Sequence, residues 1–176
     1  PSGLALIVAA GRGARFGTDI PKQYLPLAGQ SVLARTVAAF HRHPAVTGVR
    51  VVINPDHRDL YDRAVAGLDL PDPIAGGDTR QQSVRNGLEA LAGGVAGAPD
   101  LVLIHDGARP LVDAGTITRV VQSLADGPAA PKRKPGEEGD GRYFAAWVAD
   151  QVAAFVGPDH GDLLVYTTFD AAAQRA

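Results

Sequence analysis

Three short apolar segments, each followed by a stretch of helical periodicity, constrain the fold of this chain more than any other feature. Leu4 to Ala9 (LALIVA), Gly48 to Ile53 (GVRVVI) and Leu101 to His105 (LVLIH) hold almost no polar residues. A strand that is apolar on both faces must be covered on both faces, so these runs predict a parallel sheet between two helical layers. The intervening segments supply the covers. Ser31 stands where it can cap a helix reaching about Arg42, with Val32, Leu33, Thr36, Val37 and Phe40 on one face. Arg58 to Gly67 reads as a short helix. Gln81 to Ala92 reads as another, with Val84, Leu88 and Leu91 inward, and Asp113 can cap a helix over Thr116 to Leu124. The expected class is α/β: three layers around a Rossmann-like, mostly parallel sheet.

Such sheets bind ligands beyond the carboxyl ends of their strands. That edge would collect the glycine loop after the first strand (AAGRGARFG), the Gly76-Gly77-Asp78 turn and the Asp106-Gly107-Ala108-Arg109 turn. The first loop fits neither common nucleotide signature. Gly11 and Gly13 begin a Gly-x-Gly-x-x-Gly pattern, but Phe16 ends it, and no acid stands at the tip of the second strand. A Walker loop requires a lysine between its last glycine and the hydroxyl residue, and Gly17-Thr18 lacks one. What is left is a cradle of backbone amides with Arg15 and Lys22 beside it, which suits a polyphosphate and the charge that grows on a phosphate under attack. The simpler alternative is a glycine turn with solvated arginines.

Composition narrows the partners. With 176 residues, a net charge of −2 and 45% hydrophobic residues, the chain suits a globular domain and gives no global case for nucleic-acid binding. It has no cysteine, hence no disulfide framework or thiolate metal site, and no methionine. No apolar run approaches the roughly 18 residues of a membrane span, and no leader pattern is visible, so the cytoplasm is the expected compartment.

AAGRGARFG with PKQY, then GGDTRQQSV, then HDGARP, in this order, resemble the 2-C-methyl-D-erythritol 4-phosphate cytidylyltransferases over about residues 4–127. The resemblance implies a nucleotidyltransferase-type fold, C-terminally incomplete here. It also implies an enzyme that moves CMP from CTP to 2-C-methyl-D-erythritol 4-phosphate with Mg²⁺, releasing pyrophosphate for isoprenoid biosynthesis. By that resemblance Ala9, Ala10 and Gly11 hug the nucleotide, and Arg15 and Lys22 bind the triphosphate and stabilise the reacting phosphorus. Gly77, Asp78 and Ser83 read the cytosine, Asp106 and Gly107 meet the nucleotide, and Arg109 lies on the acceptor side. Asp106 is also the candidate metal ligand. The family is a homodimer through an arm that the matching part does not include. One departure is local: the family has alanine where this chain has Gly107.

Simpler readings stand beside these roles. Asp78 can cap the helix after it; Arg80 and Arg85 read as solvated helix residues; His105 can be packed at a strand end. His41 and His43 read as surface residues rather than metal ligands, and Arg109-Pro110 as a structural turn with a salt bridge.

After residue 127 the text changes. Residues 128–142 form a Pro/Gly/charge-rich linker, and 143–176 predict a helix (Tyr143 to Phe155) and one strand (Leu163 to Thr168). Residues 131–176 resemble the segment leading into the transpeptidase domain of class A penicillin-binding proteins, but no Ser-x-x-Lys nucleophile occurs. The chain therefore reads as a truncated nucleotidyltransferase domain with an unrelated tail and a bare sheet edge. Turnover is expected to be impaired; the alternatives are a catalytically dead CTP-binding remnant and a fragment of a cell-wall synthase.

Overall fold

The computed structural model describes residues 3–12, 20–92, 101–125 and 164–167. The chain enters on β1 (Gly3–Ala9), turns through a single 3-10 turn (Lys22–Tyr24), and makes a small hairpin of β2 (Pro26–Leu27) and β3 (Gln30–Ser31). It continues through α1 (Val32–His41), β4 (Val46–Ile53), α2 (Arg58–Ala64), β5 (Ile74–Ala75) and α3 (Arg80–Ala92). Then come β6 (Leu101–Asp106), α4 (Ala114–Ala125) and β7 (Leu164–Thr167).

Five strands form one sheet in the order β5-β4-β1-β6-β7, and every pairing in it is parallel. In register, Ile7 of β1 stands between Val51 of β4 and His105 of β6. Each apolar strand feeds two cores, as its lack of alternation requires. Ala5, Ile7, Ala9, Val49, Val51 and Leu103 pack with Leu33, Val37 and Phe40 of α1, Tyr61 of α2 and Ile117 of α4. On the other face Leu6, Val52, Val102 and Ile104 meet Val84, Leu88 and Leu91 of α3. This is the three-layer arrangement expected from the sequence.

The caps follow their chemistry. Ser31 Oγ accepts from the Ala34 amide at 3.0 Å, and Asp113 Oδ1 accepts from Thr116 at 2.6 Å. That amide contact holds the Asp113 carboxyl below the usual aspartate range. The hairpin turns on Ala28 and Gly29, both at positive φ (47° and 84°), as a two-residue loop between twisted strands demands. Arg35 of α1 ties this turn down, donating to the carbonyls of Leu27 and Ala28 at 2.6 Å each.

Four expectations need correction. The second helix stops at Ala64, short of Gly67, which takes a left-handed φ of 84°. Asp78 caps nothing: Thr79 Oγ1 accepts from the Gln82 amide at 3.0 Å and closes the start of α3. His43 is not a surface residue. It is 6% exposed and holds the end of α1 against α4, Nδ1 accepting from the Ala45 amide while Nε2–H faces Ala114 O and Thr118 Oγ1. Finally, the sheet is not bare beside β6. The strand expected near 163–168 pairs there as β7, Leu101 opposite Leu164 and Ile104 opposite Thr167. The helix expected over 143–155 and the linker over 128–142 lie outside the described residues.

Candidate functional site

The strand order reverses at β1. The chain runs outward from β1 to β4 and β5, then crosses through α3 to β6 on the other side. The carboxyl ends of β1 and β6 therefore flank a crevice of the kind that holds ligands in open α/β sheets.

Backbone contacts gather three loops around this crevice. The amide of Gly107, just past β6, donates to Val8 O at 2.8 Å. A β-carbon on Gly107 would lie 2.8 Å from that of Ala9, so glycine lets the β6 turn close on β1. Gly76 plays the same part for the neighbouring turn. Its amide donates to Ile53 O at 2.7 Å, and a β-carbon there would collide with Ala10 Cβ. Thus Ala10 touches the Gly-Gly turn and Ala9 touches the β6 turn. Thr36, buried in α1, holds the β6 turn from below, its hydroxyl 3.1 Å from Gly107 O.

Gln23 fixes the first loop. Its side chain is 3% exposed, and Nε2 donates at 2.8 Å to both Ala9 O and Gly11 O. The Pro-Lys-Gln segment, remote in sequence, is thereby clipped to the strand end, and Lys22 rides on the same 3-10 turn. Lys22 is exposed and makes no ion pair among the described residues. Arg15 lies outside the described residues. Arg12 and Asp78 connect the glycine loop with the Gly77-Asp78 turn at 3.4 Å; both are open to water, so the contact contributes little energy.

Ser83 sits behind that turn. It is 1% exposed, and its hydroxyl is within 3.1 Å of the Gly77 amide and 3.0 Å of Thr79 O. In this state Ser83 shapes the turn, while Asp78, with a side chain 96% exposed, is presented to solvent.

The acidic edge is a three-residue cluster. Arg80 places Nη2 2.7 Å and Nε 3.0 Å from Asp106 Oδ1, and Arg109 Nε lies 2.9 Å from Oδ2. All three side chains are less than a third exposed. Arg80 is therefore no solvated helix residue, whereas Arg85, paired with Glu89 at 2.8 Å, is one. The salt bridge expected for Arg109 is present. Beneath it His105 is packed on Phe40 with ring centroids 4.9 Å apart, and its Nε2–H donates to Arg109 O at 2.9 Å. Burial pushes the imidazole below its usual pKa and keeps it neutral, a supporting role without proton chemistry.

No group of three or more His, Cys, Asp or Glu side chains converges among the described residues. A Mg²⁺ ion needs no such cage, because one or two carboxylates plus substrate phosphates suffice. Asp106 fits that requirement on one condition: both its oxygens are held by guanidinium groups, so a cation there would displace Arg80 or Arg109 from one of them.

Two residues escaped sequence reasoning. Gln23 was visible only as a polar residue beside Lys22, and nothing local marks it as buried. Arg80 left a fainter signal: a cation in the first turn of a helix opposes the helix dipole and calls for an acidic partner elsewhere.

The family model of 2-C-methyl-D-erythritol 4-phosphate cytidylyltransferase (IspD) matches residues 4–132. A bifunctional enzyme IspD/IspF of Paramagnetospirillum magneticum is 52% identical over 149 residues, 85% of this chain and 38% of that protein. The protein of the same name from Rhodospirillum rubrum is 58% identical over 127 residues, 72% of this chain and 32% of its own length. The chain thus spans about a third of the length of these curated relatives. Among solved structures, a 4-diphosphocytidyl-2C-methyl-D-erythritol synthase from Anaerococcus prevotii superposes with a TM-score of 0.60 over 95% of this chain and 87% of that one. At 20% identity this likeness speaks for the fold. A second crystal structure of a 4-diphosphocytidyl-2C-methyl-D-erythritol synthase gives a TM-score of 0.56 at 28% identity, over 80% of this chain and 66% of the other.

Proposed function

Since residues 4–132 make this chain a member of the IspD family of 2-C-methyl-D-erythritol 4-phosphate cytidylyltransferases, we propose that its crevice binds CTP and transfers CMP to the phosphate of 2-C-methyl-D-erythritol 4-phosphate. The observation that carries this reading is the convergence of three loops at the switch point: Ala10 against Gly76, and the Gly107 amide on Val8 O. It gives one wall to a triphosphate, one to a base and one to an acceptor.

The acceptor is already an anion, so the reaction needs no strong general base. The work is to bring two anions together and to neutralise charge as the α-phosphorus becomes five-coordinate. Lys22 and, by the family pattern, Arg15 serve the triphosphate. The amides from Ala9 to Gly11 line its path, Asp78 offers a carboxylate to the exocyclic amine of cytosine, and Arg109 faces the acceptor. A divalent cation, when bound, would rest on Asp106 and offset phosphate charge; Gly107 brings that carboxylate close to β1. The fold offers no helix long and apolar enough to cross a membrane among the described residues.

For residues 164–167 we favour a part in this fold over a cell-wall segment, because they extend the same sheet as β7. We expect turnover by these 176 residues to be slow. The family model stops matching at residue 132, and the cations just beyond it, Arg133 and Lys134, stand beside Pro135 and Gly136 in a Pro/Gly-rich stretch. Pyrophosphate release with CTP, Mg²⁺ and methylerythritol phosphate tests the reading. Release that requires both substrates supports it; release indifferent to the acceptor, or as fast with ATP, contradicts it.

A further inference from the structure

The first residue of α3 is a cation placed against the positive end of its own helix dipole, with no acidic residue in that turn. The fold resolves this by giving Arg80 a partner on another element: Nε and Nη2 both reach Asp106 Oδ1, at 3.0 and 2.7 Å. Arg80 stands within a turn that is itself hydrogen-bonded. Thr79 Oγ1 receives the Gln82 amide, Thr79 O receives the Ser83 amide at 3.0 Å, and Ser83 Oγ receives the Gly77 amide at 3.1 Å. Residues 77–83 are thus one hydrogen-bonded unit, and Arg80 is its projection toward β6. Asp106 in turn holds Arg109 through Oδ2. The path from the Gly77-Asp78 turn to Arg109 runs through one carboxylate.

We propose that Arg80 is a positioning residue that couples the cytidine-reading turn to the acceptor edge by fixing Asp106. The proposal rests on the reading of this crevice as a CTP site and adds to it a residue that acts through another. A base seated against Gly77 and Asp78 fixes the start of α3. Arg80 then fixes the Asp106 carboxylate, leaving Arg109 aligned for the acceptor phosphate. Two guanidinium groups share one carboxylate, so the cluster keeps a net charge of +1, which favours an anion beside it. If a divalent cation takes one oxygen of Asp106, a guanidinium on the other still sets the plane of the carboxylate.

The experiment is a double-mutant cycle on CTP affinity, read by calorimetric titration of the full chain with CTP and Mg²⁺. R80A and D106N are each expected to weaken binding about tenfold, and R80A/D106N no more than either alone, because contacting residues couple strongly. R80K, which keeps the charge and one donor, should recover affinity to within about threefold of wild type, a rescue that lost folding would not show. R85A, changed on the same helix outside the cluster, should bind as wild type does. A double variant weakened by the product of the single losses would overturn the proposal, as would an R80A affinity equal to wild type. Failure of the wild-type chain to bind CTP would instead remove the reading beneath it, and the proposal with it. Should R80A not fold, R80Q keeps part of the aliphatic stem and a donor and takes its place in the cycle under the same criteria.

Discussion

The side-chain amide of Gln23 donates to the carbonyl of Ala9 across 2.8 Å, from a residue only 3% exposed. The same nitrogen serves Gly11, so one buried amide defines where the strand ends and the glycine loop begins. Gln23→Ala leaves two carbonyls without this donor, and loss of a buried partner costs about 1–3 kcal/mol. Chemical denaturation should show a loss of that size, and nucleotide affinity should fall with it. An unchanged midpoint would mean that water replaces the amide without penalty.

Gly107 lets the β6 turn close on β1, and Ala9 is the reason that a side chain there is resisted. Gly107→Ala should destabilise by about 1–3 kcal/mol through overpacking against Ala9 Cβ, 2.8 Å from the added carbon. Ala9→Gly in the same chain should recover most of that loss. If the double variant is as unstable as the sum of the two, the two positions are not in the contact described.

The layers of this fold were legible in the sequence because they rest on burial. β1, β4 and β6 are apolar on both faces, and Ser31 and Asp113 cap the helices that their positions announce. The elements that were not legible rest on partners far away in the chain. Ile74 and Ala75 become β5 only by pairing with Val52 and Ile53, and two residues carry no period of their own. The candidate site shows the same division. Glycines and cations were visible as a cluster of suspicious loops, and Ala10, Asp78 and Asp106 do lie at one edge. That Arg80 grips Asp106 and Gln23 closes the loop depends on contacts across 26 and 14 residues, which no local pattern encodes. Asp78 was a plausible cap by residue type; its neighbour Thr79 fills that position.

Ala28 is the one non-glycine residue at positive φ among the described residues, at 47°. A β-carbon in the left-handed region costs about 1–2 kcal/mol, offset in part by the greater chain entropy of glycine. Ala28→Gly should therefore raise stability by about 0.5–1 kcal/mol, seen as a higher denaturation midpoint, with Arg35 still holding the turn. A lower midpoint would show that the turn is not strained at this residue.

His105 should make stability depend on pH. Burial lowers its pKa in the folded state, so between the folded and unfolded values the unfolded chain binds more protons. Stability from this residue is then complete above about pH 6.5, the ordinary histidine value, and declines as pH falls below it. Thermal unfolding of wild type and His105→Asn across pH 5–8 isolates the effect. The wild type should lose relative stability toward pH 5, and parallel curves would show that His105 charges without penalty in the fold.

On the reading proposed above, the crevice between β1 and β6 is a site for CTP, with Lys22 on its phosphates. Titration of CTP and ATP, each with Mg²⁺, into the wild-type chain and Lys22→Ala by calorimetry tests it most directly. A charge-assisted phosphate contact contributes about 1.5–3 kcal/mol, so Lys22→Ala should weaken CTP binding by at least about tenfold. ATP should bind at least about tenfold more weakly than CTP, since a purine leaves the polar groups of the Gly77-Asp78 turn unpaired. Equal affinities for CTP and ATP, or for wild type and Lys22→Ala, would contradict the account.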